Sequence, residues 1–291
     1  MRRRDMFFQH ITGMNRVSMR SQRSEKTGKP MGSGMSVKSG ISLWFLLLLI
    51  AGSAMVHGQN RLDERGRKTG QWKEEYPDGT TRYEAEFHEG EPVGMMTRYF
   101  DTGIKSAEMY FDTVRGRCFT RMFYENGKLA AEGWFVNREK DSVWTYYSEY
   151  DGSVRIREPY EDGSLNGTVR NYYPDGGVSE EIGWRKDEKS GDWNQFYENG
   201  ALRLSGSYRQ DMLNGGYEVF YPDSTLKIKG IYKDDQSHGT WVYFDEAGNE
   251  VYSIEFDEGK AVDQAKYLEV MDELLRRFEE TGEPVTIEHK D

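Results

Sequence analysis

The chain has 291 residues, a formal net charge of −11, a single cysteine and an aromatic fraction of 14%. These values exclude a globally disordered chain, a disulfide framework and a cysteine-based zinc site, and an acidic chain matches nucleic acid poorly. A length of 291 residues fits at most two domains, and the aromatic fraction predicts an unusually aromatic core.

The charge is unevenly distributed along the chain. Residues 1–58 carry nine Lys/Arg and two Asp/Glu, which leaves 30 basic and 48 acidic residues, a net charge of −18, in the remainder. Within the basic part, residues 41–56 are apolar, follow Lys38 and lead into small side chains, which is the layout of a signal peptide. We therefore predict cleavage between Gly58 and Gln59 and export of the acidic body to the periplasm, outer envelope or extracellular space.

Two questions stay open for this segment. Sixteen apolar or small residues fall short of the roughly 20 that span a bilayer. An uncleaved inner-membrane signal anchor, with the body outside the cytoplasm, is nevertheless the alternative, and it would be the only membrane contact. The true start is Met1, Met31 or Met35, and starting at Met35 gives a signal peptide of ordinary proportions.

A repeat of about 24 residues fills residues 70–260, after a short linker at residues 59–69. One turn residue recurs every 24 positions with a single step of 25, namely Gly79, Gly103, Gly127, Gly152, Gly176, Gly200, Ser224 and Gly248. A small residue opens each unit, namely Gly70, Gly94, Cys118, Ser142, Gly167, Gly191, Gly215 and Gly239. An aromatic closes each unit eight positions after the turn, namely Phe87, Phe111, Phe135, Tyr160, Trp184, Tyr208, Tyr232 and Phe256.

Each unit reads as a β-hairpin. In Pro77-Asp78-Gly79 the proline presets a type I turn, and the glycine accepts the left-handed conformation that joins the turn to a twisted ladder. Ser224 lacks that freedom, so the seventh turn should be strained or of another type. Because units this short must stack to bury apolar surface, we predict an all-β fold. It is an elongated single antiparallel sheet of about eight hairpins.

Units such as 191–200, with the sequence GDWNQFYENG, open with Gly-x-Trp and continue with an aromatic pair and an Asn-Gly turn. This pattern resembles the MORN repeat, in the variant class found in bacteria. The resemblance covers residues 70–260 and implies an elongated, twisted antiparallel sheet. For function it implies far less: the family name refers to membrane association, and some bacterial members carry an antitoxin-like label. Cys118, Ser142 and Ser224 replace glycines of the family pattern, and Thr120 replaces its tryptophan.

The C-terminal region, residues 261–291, changes period. Apolar residues fall at helical spacing, and Gly282 and Pro284 would end the helix. We predict a capping α-helix that covers the last hairpin. Its apolar face would consist of Ala265, Leu268, Met271, Leu275 and Phe278.

The sequence offers little catalytic material. After the leader the histidines are His88, His238 and His289, in links or the tail, and Cys118 is explained by its small-residue column. The paired acids Glu180-Glu181 and Asp234-Asp235 are interpreted as solvated residues of strands or links. We therefore predict no enzyme, no catalytic residue, no metal site and no cofactor.

An aromatic pair precedes most turns. Since neighbouring strand residues point to opposite faces, one ring of each pair should lie on either side of the sheet. Either these rings only stabilise a thin sheet, or the second set is partly exposed and binds a protein segment, glycan or lipid. The candidate binding residues are Tyr99, Phe123, Tyr147, Tyr172, Phe196, Phe220 and Phe244.

Three functional classes follow. The first is a non-enzymatic exported scaffold or interaction module with a protein partner. The second is an antitoxin-like inhibitor or immunity protein, implied by the resemblance, whose acidic surface would cover a basic partner. The third is an envelope enzyme that uses carboxylates, such as a glycan hydrolase, which would require two acids to converge in a partly buried pocket. No nucleic acid partner is expected.

Overall fold

The computed structural model describes residues 59–281, except for the side chains of residues 277, 278, 280 and 281. The predicted signal segment with Gly58, and the tail from residue 282, lie outside the described residues. The elements are β1 (Arg61–Leu62), β2 (Lys68–Glu75), β3 (Thr81–His88), β4 (Glu91–Tyr99), β5 (Lys105–Asp112), β6 (Arg117–Phe123), β7 (Leu129–Val136), β8 (Glu139–Tyr147), β9 (Val154–Glu161), β10 (Ser164–Leu165), β11 (Gly167–Tyr172), β12 (Val178–Arg185), β13 (Glu188–Phe196), β14 (Leu202–Arg209), β15 (Met212–Leu213), β16 (Gly215–Phe220), β17 (Leu226–Lys233), β18 (Gln236–Phe244), β19 (Glu250–Asp257), β20 (Lys260–Ala261) and α1 (Gln264–Thr281).

The strands form one open antiparallel sheet in which pairing follows chain order. The short strand β10 pairs with β9, as β11 does, and the short strand β15 pairs with β14, as β16 does. β10 and β11 are therefore two parts of one interrupted strand, and so are β15 and β16. The strands from β2 to β19 therefore make eight hairpins, and one helix follows them within the described residues. The predicted all-β fold class is confirmed.

The hairpin turns have the predicted geometry. The amide of Gly79 donates to the carbonyl of Tyr76 at 2.9 Å, and Gly79 is left-handed with a φ of 87°. Asp78 supports the turn by accepting the amide of Thr80 at 2.9 Å. Ser224 has a φ of 71°, and its backbone amide donates to the carbonyl of Tyr221 at 2.9 Å. The seventh turn is thus of the same type, with a serine in a conformation that favours glycine.

Two-residue turns join most successive hairpins, and both of their residues have positive φ. Asn137 and Arg138, for example, have φ values of 51° and 68°, which is the type I′ conformation that suits the twist of antiparallel strands. The opening residue then also adopts positive φ in seven units, as at Gly70 and Ser142. The link between β5 and β6 is longer and spans residues 113–116.

That longer link changes the role of Cys118. β5 and β6 pair without a register shift, and Cys118 is not among the residues of positive φ. It therefore occupies an ordinary strand position, buried between Phe111 and Phe135 on the neighbouring strands. Cys118 thus shares the small-residue column of the sequence, but without the positive φ that the other seven units have at this position.

The two sides of the sheet differ. The side that carries the closing aromatics is called the buried face here, and the other side is the open face. On the buried face Trp144 is fully buried and lies against Gly133, where an added Cβ would come within 2.4 Å of its ring. The Trp241 ring meets Gly230 in the same way, at 2.3 Å. A mid-strand glycine thus makes room for each of these two tryptophans.

Successive hairpins are also joined by a recurring hydrogen bond, called the tyrosine clasp here. A tyrosine hydroxyl next to a turn donates to the backbone carbonyl 23 residues later, at 2.7 to 3.0 Å. The donors are Tyr76, Tyr124, Tyr173, Tyr197 and Tyr221. The clasp ties each of these turns to the last residue of the strand that enters the next turn.

Residues 59–69, predicted as a short linker, contain β1 and the first residues of β2. The side-chain amide of Asn60 accepts the Lys73 amide and donates to the Lys73 carbonyl, each at 2.8 Å. The Asn60 side chain therefore makes the two hydrogen bonds that a backbone peptide group of a further strand would make beside β2. This contact covers part of the first sheet edge, which would otherwise expose unpaired backbone groups.

Helix α1 begins after Asp263, whose carboxylate accepts the Lys266 amide at 3.0 Å as an N-cap. Val270 is buried in the cluster of β14–β19, where Tyr267 and Leu274 pack beside it. Tyr267 also meets Phe256 at 6.2 Å between ring centres. The helix therefore packs on the last hairpin. In the described part of the chain, no helix combines the length and apolar character that crossing a membrane requires.

The predicted apolar face of the helix is wrong. Leu268 and Leu275 are 58% and 54% exposed, Ala265 is exposed and Met271 is half-buried, while the side chain of Phe278 lies outside the described residues. The true contact face is rotated, because aromatic and β-branched residues at 267 and 270 fit the last hairpin. A stripe of leucines is thereby left in solvent.

Candidate interaction surface

The seven predicted binding aromatics form one continuous row on the open face, called the turn row here. Each follows a residue that points to the buried face. Gln195, for example, pairs with the buried Leu204, so Phe196 points the other way. All seven are half-buried, namely Tyr99, Phe123, Tyr147, Tyr172, Phe196, Phe220 and Phe244. The structure thus brings the predicted residues onto one side of the sheet.

Aliphatic side chains alternate with these rings. Phe123 pairs with Leu129, and Tyr172 pairs with Val178. Leu202 and Leu226 hold the same position opposite the next two rings. The partners at the ends of the row are Lys105 and Glu250. The turn row is therefore apolar along its middle and charged at its ends, and its rings are partly covered by their neighbours.

A row of charged residues runs beside the turn row. Its cross-strand ion pairs join Arg121 to Glu132 at 3.2 Å and Arg170 to Glu181 at 2.7 Å. The hydroxyl of Tyr147 donates to Glu132 at 2.7 Å. Burial and this carboxylate raise the pKa of Tyr147 to about 12. The carboxylates of this row thus bind arginines on neighbouring strands and, at Glu132, a tyrosine hydroxyl. These charged side chains make the open face polar beside the turn row.

A third row on the open face lies beside the opening residues, called the opening row here. It starts with Met95 and Tyr110, which pair across β4 and β5 and are 54% and 51% exposed. It continues through Phe119 and Trp134, whose ring centres lie 5.1 Å apart. Sequence reasoning missed this row, although strand alternation counted from each opening residue would have revealed it.

The candidate catalytic groups show no reactive arrangement. Cys118 is buried, and burial raises the pKa of its thiol. His88 is exposed, and His238 lies 3.8 Å from Asp257 at the surface. Among residues 59–281, no group of histidines, cysteines and acids is placed to hold a metal ion. His289 lies outside the described residues.

One acid of the predicted solvated pairs, Glu180, is half-buried and hydrogen-bonded to neighbouring strands. Glu180 lies on the buried face and accepts hydrogen bonds from Asn171, Trp193 and Gln195 at 2.7, 2.9 and 3.1 Å. Polar side chains on the two neighbouring strands, β11 and β13, thus converge on Glu180, which the interpretation as a solvated residue did not include. Asp234 is an exposed turn residue as predicted.

Glu158 and Glu180, two hydrogen-bonded carboxylates of the buried face, do not form a pair. Glu158 is the acid on the buried face nearest to Glu180 in strand register, and β11 lies between their strands. Two strand spacings and a two-residue offset separate their Cα atoms by about 12 Å. Each has its own donors, since Tyr160 donates to Glu158 at 2.8 Å. This arrangement is that of structural acids that satisfy neighbouring donors.

Comparison with known proteins identifies one family. Residues 120–137 match the MORN repeat variant, and these residues run from β6 through the third turn into β7. No curated protein matches the chain. The matched segment lies within one of the eight hairpins, and the match therefore shows that this hairpin is similar to the MORN repeat variant over 18 residues.

Proposed function

We propose that the chain is a non-enzymatic exported repeat protein that acts as a structural or interaction scaffold, with the turn row as its binding surface. One observation carries the proposal. The turn row presents half-buried, partly accessible rings along seven repeats, on the face opposite to the aromatic core. Aromatic side chains are enriched in protein interfaces, where they supply large contact area. The partner that fits is a protein segment that lies along the row.

The experiment is affinity capture from envelope extracts with three full-chain baits. The first is the native chain, the second carries Tyr172→Ser and Phe196→Ser, and the control carries Tyr150→Ser at a turn position that is 89% exposed. We expect the double variant to lose the captured partner while the control keeps it. Equal capture by all three baits would contradict the proposal.

Export is supported by the layout of residues 41–58 and by the acidic body that follows. The measurement is the N-terminal sequence of the protein recovered from the envelope and medium. We expect Gln59 as the first residue. Recovery of the full leader on protein from the cytoplasm would count against export, and recovery in the membrane with an intact leader would indicate the signal anchor.

A second candidate function is an antitoxin-like inhibitor or immunity protein that binds a basic partner. It is favoured by the formal charge of −18 after residue 58, because opposite charge accelerates association. Capture that weakens steeply with added salt would favour this candidate, since salt screens exposed charges. Capture that is insensitive to salt would favour contacts made by the apolar turn row.

A further inference from the structure

The opening row is apolar in only one part of the sheet. In the second, third and fourth units it consists of Met95, Tyr110, Phe119, Trp134 and Val143. At the same positions elsewhere the pairs are polar or small, as Gln71 with Glu86 and Asp192 with Ser207. In the seventh unit Ile231 stands alone opposite Gly216. The apolar stretch is therefore a local surface and not a general requirement of the repeat.

The composition of this stretch is that of a protein interface. Aromatic residues, methionine and arginine are the types enriched in interface cores. The guanidinium of Arg117 lies 4.1 Å from the centre of the Trp134 ring, and that of Arg121 lies 5.7 Å from the Phe119 ring. Arginines thus stack on these rings at the edge of the row, while their guanidinium groups pair with Asp112 and Glu132. Residues 94–141 carry eight Lys/Arg and seven Asp/Glu, in contrast to the acidic remainder.

The same chain carries a surface of complementary character on α1. Leu268 and Leu275 are more than half exposed, and Asp272 and Glu279 continue the same helix face at four-residue spacing from them. Helix α1 has five acids and three bases. An apolar stripe on an acidic helix therefore matches an apolar row in a part of the chain that is not itself acidic, so that the two surfaces can meet without strong charge repulsion.

The dimensions of the two surfaces also agree. Leu268 and Leu275 are seven residues apart, which is about 10.5 Å along a helix. Tyr110 and Trp134 lie on β5 and β7, and two strand spacings are about 9.6 Å. A helix laid across the strands would therefore bring its two leucines over these two rings at the same time.

A chain cannot make this contact with its own helix. Helix α1 packs on the buried face beside β19, whereas the opening row is on the open face between β4 and β8. We propose that α1 of one copy docks on the opening row of a second copy. The contact joins two different surfaces, so it repeats from copy to copy and generates a head-to-tail assembly. The proposal goes beyond the scaffold function because it does not involve the turn row.

The test measures the mass of full-chain variants by light scattering across a range of concentrations. The row variant is Tyr110→Glu and the helix variant is Leu275→Glu. The matched control is Ile231→Glu, which is 48% exposed and holds the same row position in the seventh unit. We expect the native chain and the control to form larger assemblies as concentration rises, and each of the two variants to stay monomeric.

Mixing the row variant with the helix variant gives the decisive result. Each retains the surface that the other has lost, so the mixture should form a dimer of one copy of each and stop there. A monomeric native chain would overturn the proposal, and so would a mixture that stays monomeric. Equal assembly by every variant would also overturn it, because the association would then come from another part of the chain. Thermal unfolding midpoints equal to that of the native chain show that the variants are folded.

Discussion

The tyrosine clasp makes a prediction about how neighbouring hairpins hold together. In the sixth unit the hydroxyl of Tyr197 donates to the carbonyl of Phe220 at 2.7 Å, and burial raises the pKa of Tyr197. The change Tyr197→Phe removes only the hydroxyl and leaves the ring in place. A hydrogen bond of this kind contributes about 0.5–1.5 kcal/mol net, so the free energy of unfolding should fall by about 1 kcal/mol.

The assay is urea unfolding at neutral pH, followed by tryptophan fluorescence, with Tyr150→Phe as the control. Tyr150 is 89% exposed, so removal of its hydroxyl should leave the midpoint unchanged. The second unit supplies the reverse test, because Phe100 stands where other units have the donor tyrosine. Phe100→Tyr would offer a hydroxyl to the carbonyl of Phe123 and should raise the midpoint. Equal midpoints for Tyr197→Phe and the native chain would refute a stabilising role for the clasp.

Three further predictions concern the core, a turn and pH. Gly133→Ala should destabilise the fold by about 1–3 kcal/mol in urea unfolding, because the new methyl group would overpack against Trp144. The control is Gly216→Ala, which should not overpack because no atom lies within 4 Å of the new Cβ. Ser224→Gly should raise the thermal midpoint, because left-handed strain of about 1–2 kcal/mol exceeds the entropy cost of glycine; a lower midpoint would contradict this. The pKa of Tyr147 is raised from 10.0 to about 12, so the folded state keeps a proton that the unfolded state loses, and stability should fall from pH 10.0 upwards. Urea midpoints that do not change in that range would contradict the assigned shift.

The local features that strand pairing requires could be predicted from the sequence. Turn residues every 24 positions fix where each hairpin reverses, because left-handed backbone favours glycine. The closing aromatics then fall on one face by strand alternation. For the same reason the turn row could be placed opposite the core before any coordinates were known. The periodic residues thus contain most of the information about the sheet.

Other features depend on contacts between units and could not be predicted. The rotation of α1, which buries Val270 and exposes Leu268, depends on the shape of the last hairpin. Gly133 is explained only by the tryptophan that lies on it from the next strand. Cys118 lacks the positive φ of the other opening residues because the link between β5 and β6 is two residues longer than the other links. Periodicity within one unit carries no signal for any of these.

The central claim is that the two faces have different roles, with the buried face holding the fold and the turn row left for binding. The most direct measurement compares the thermal unfolding midpoints of Phe196→Ser and Tyr208→Ser. These rings lie on opposite faces of the same hairpin, and Tyr208 is buried in the core cluster. We predict a small decrease for Phe196→Ser and a much larger one for Tyr208→Ser. Equal decreases, or a larger one for Phe196→Ser, would contradict the division of roles between the faces.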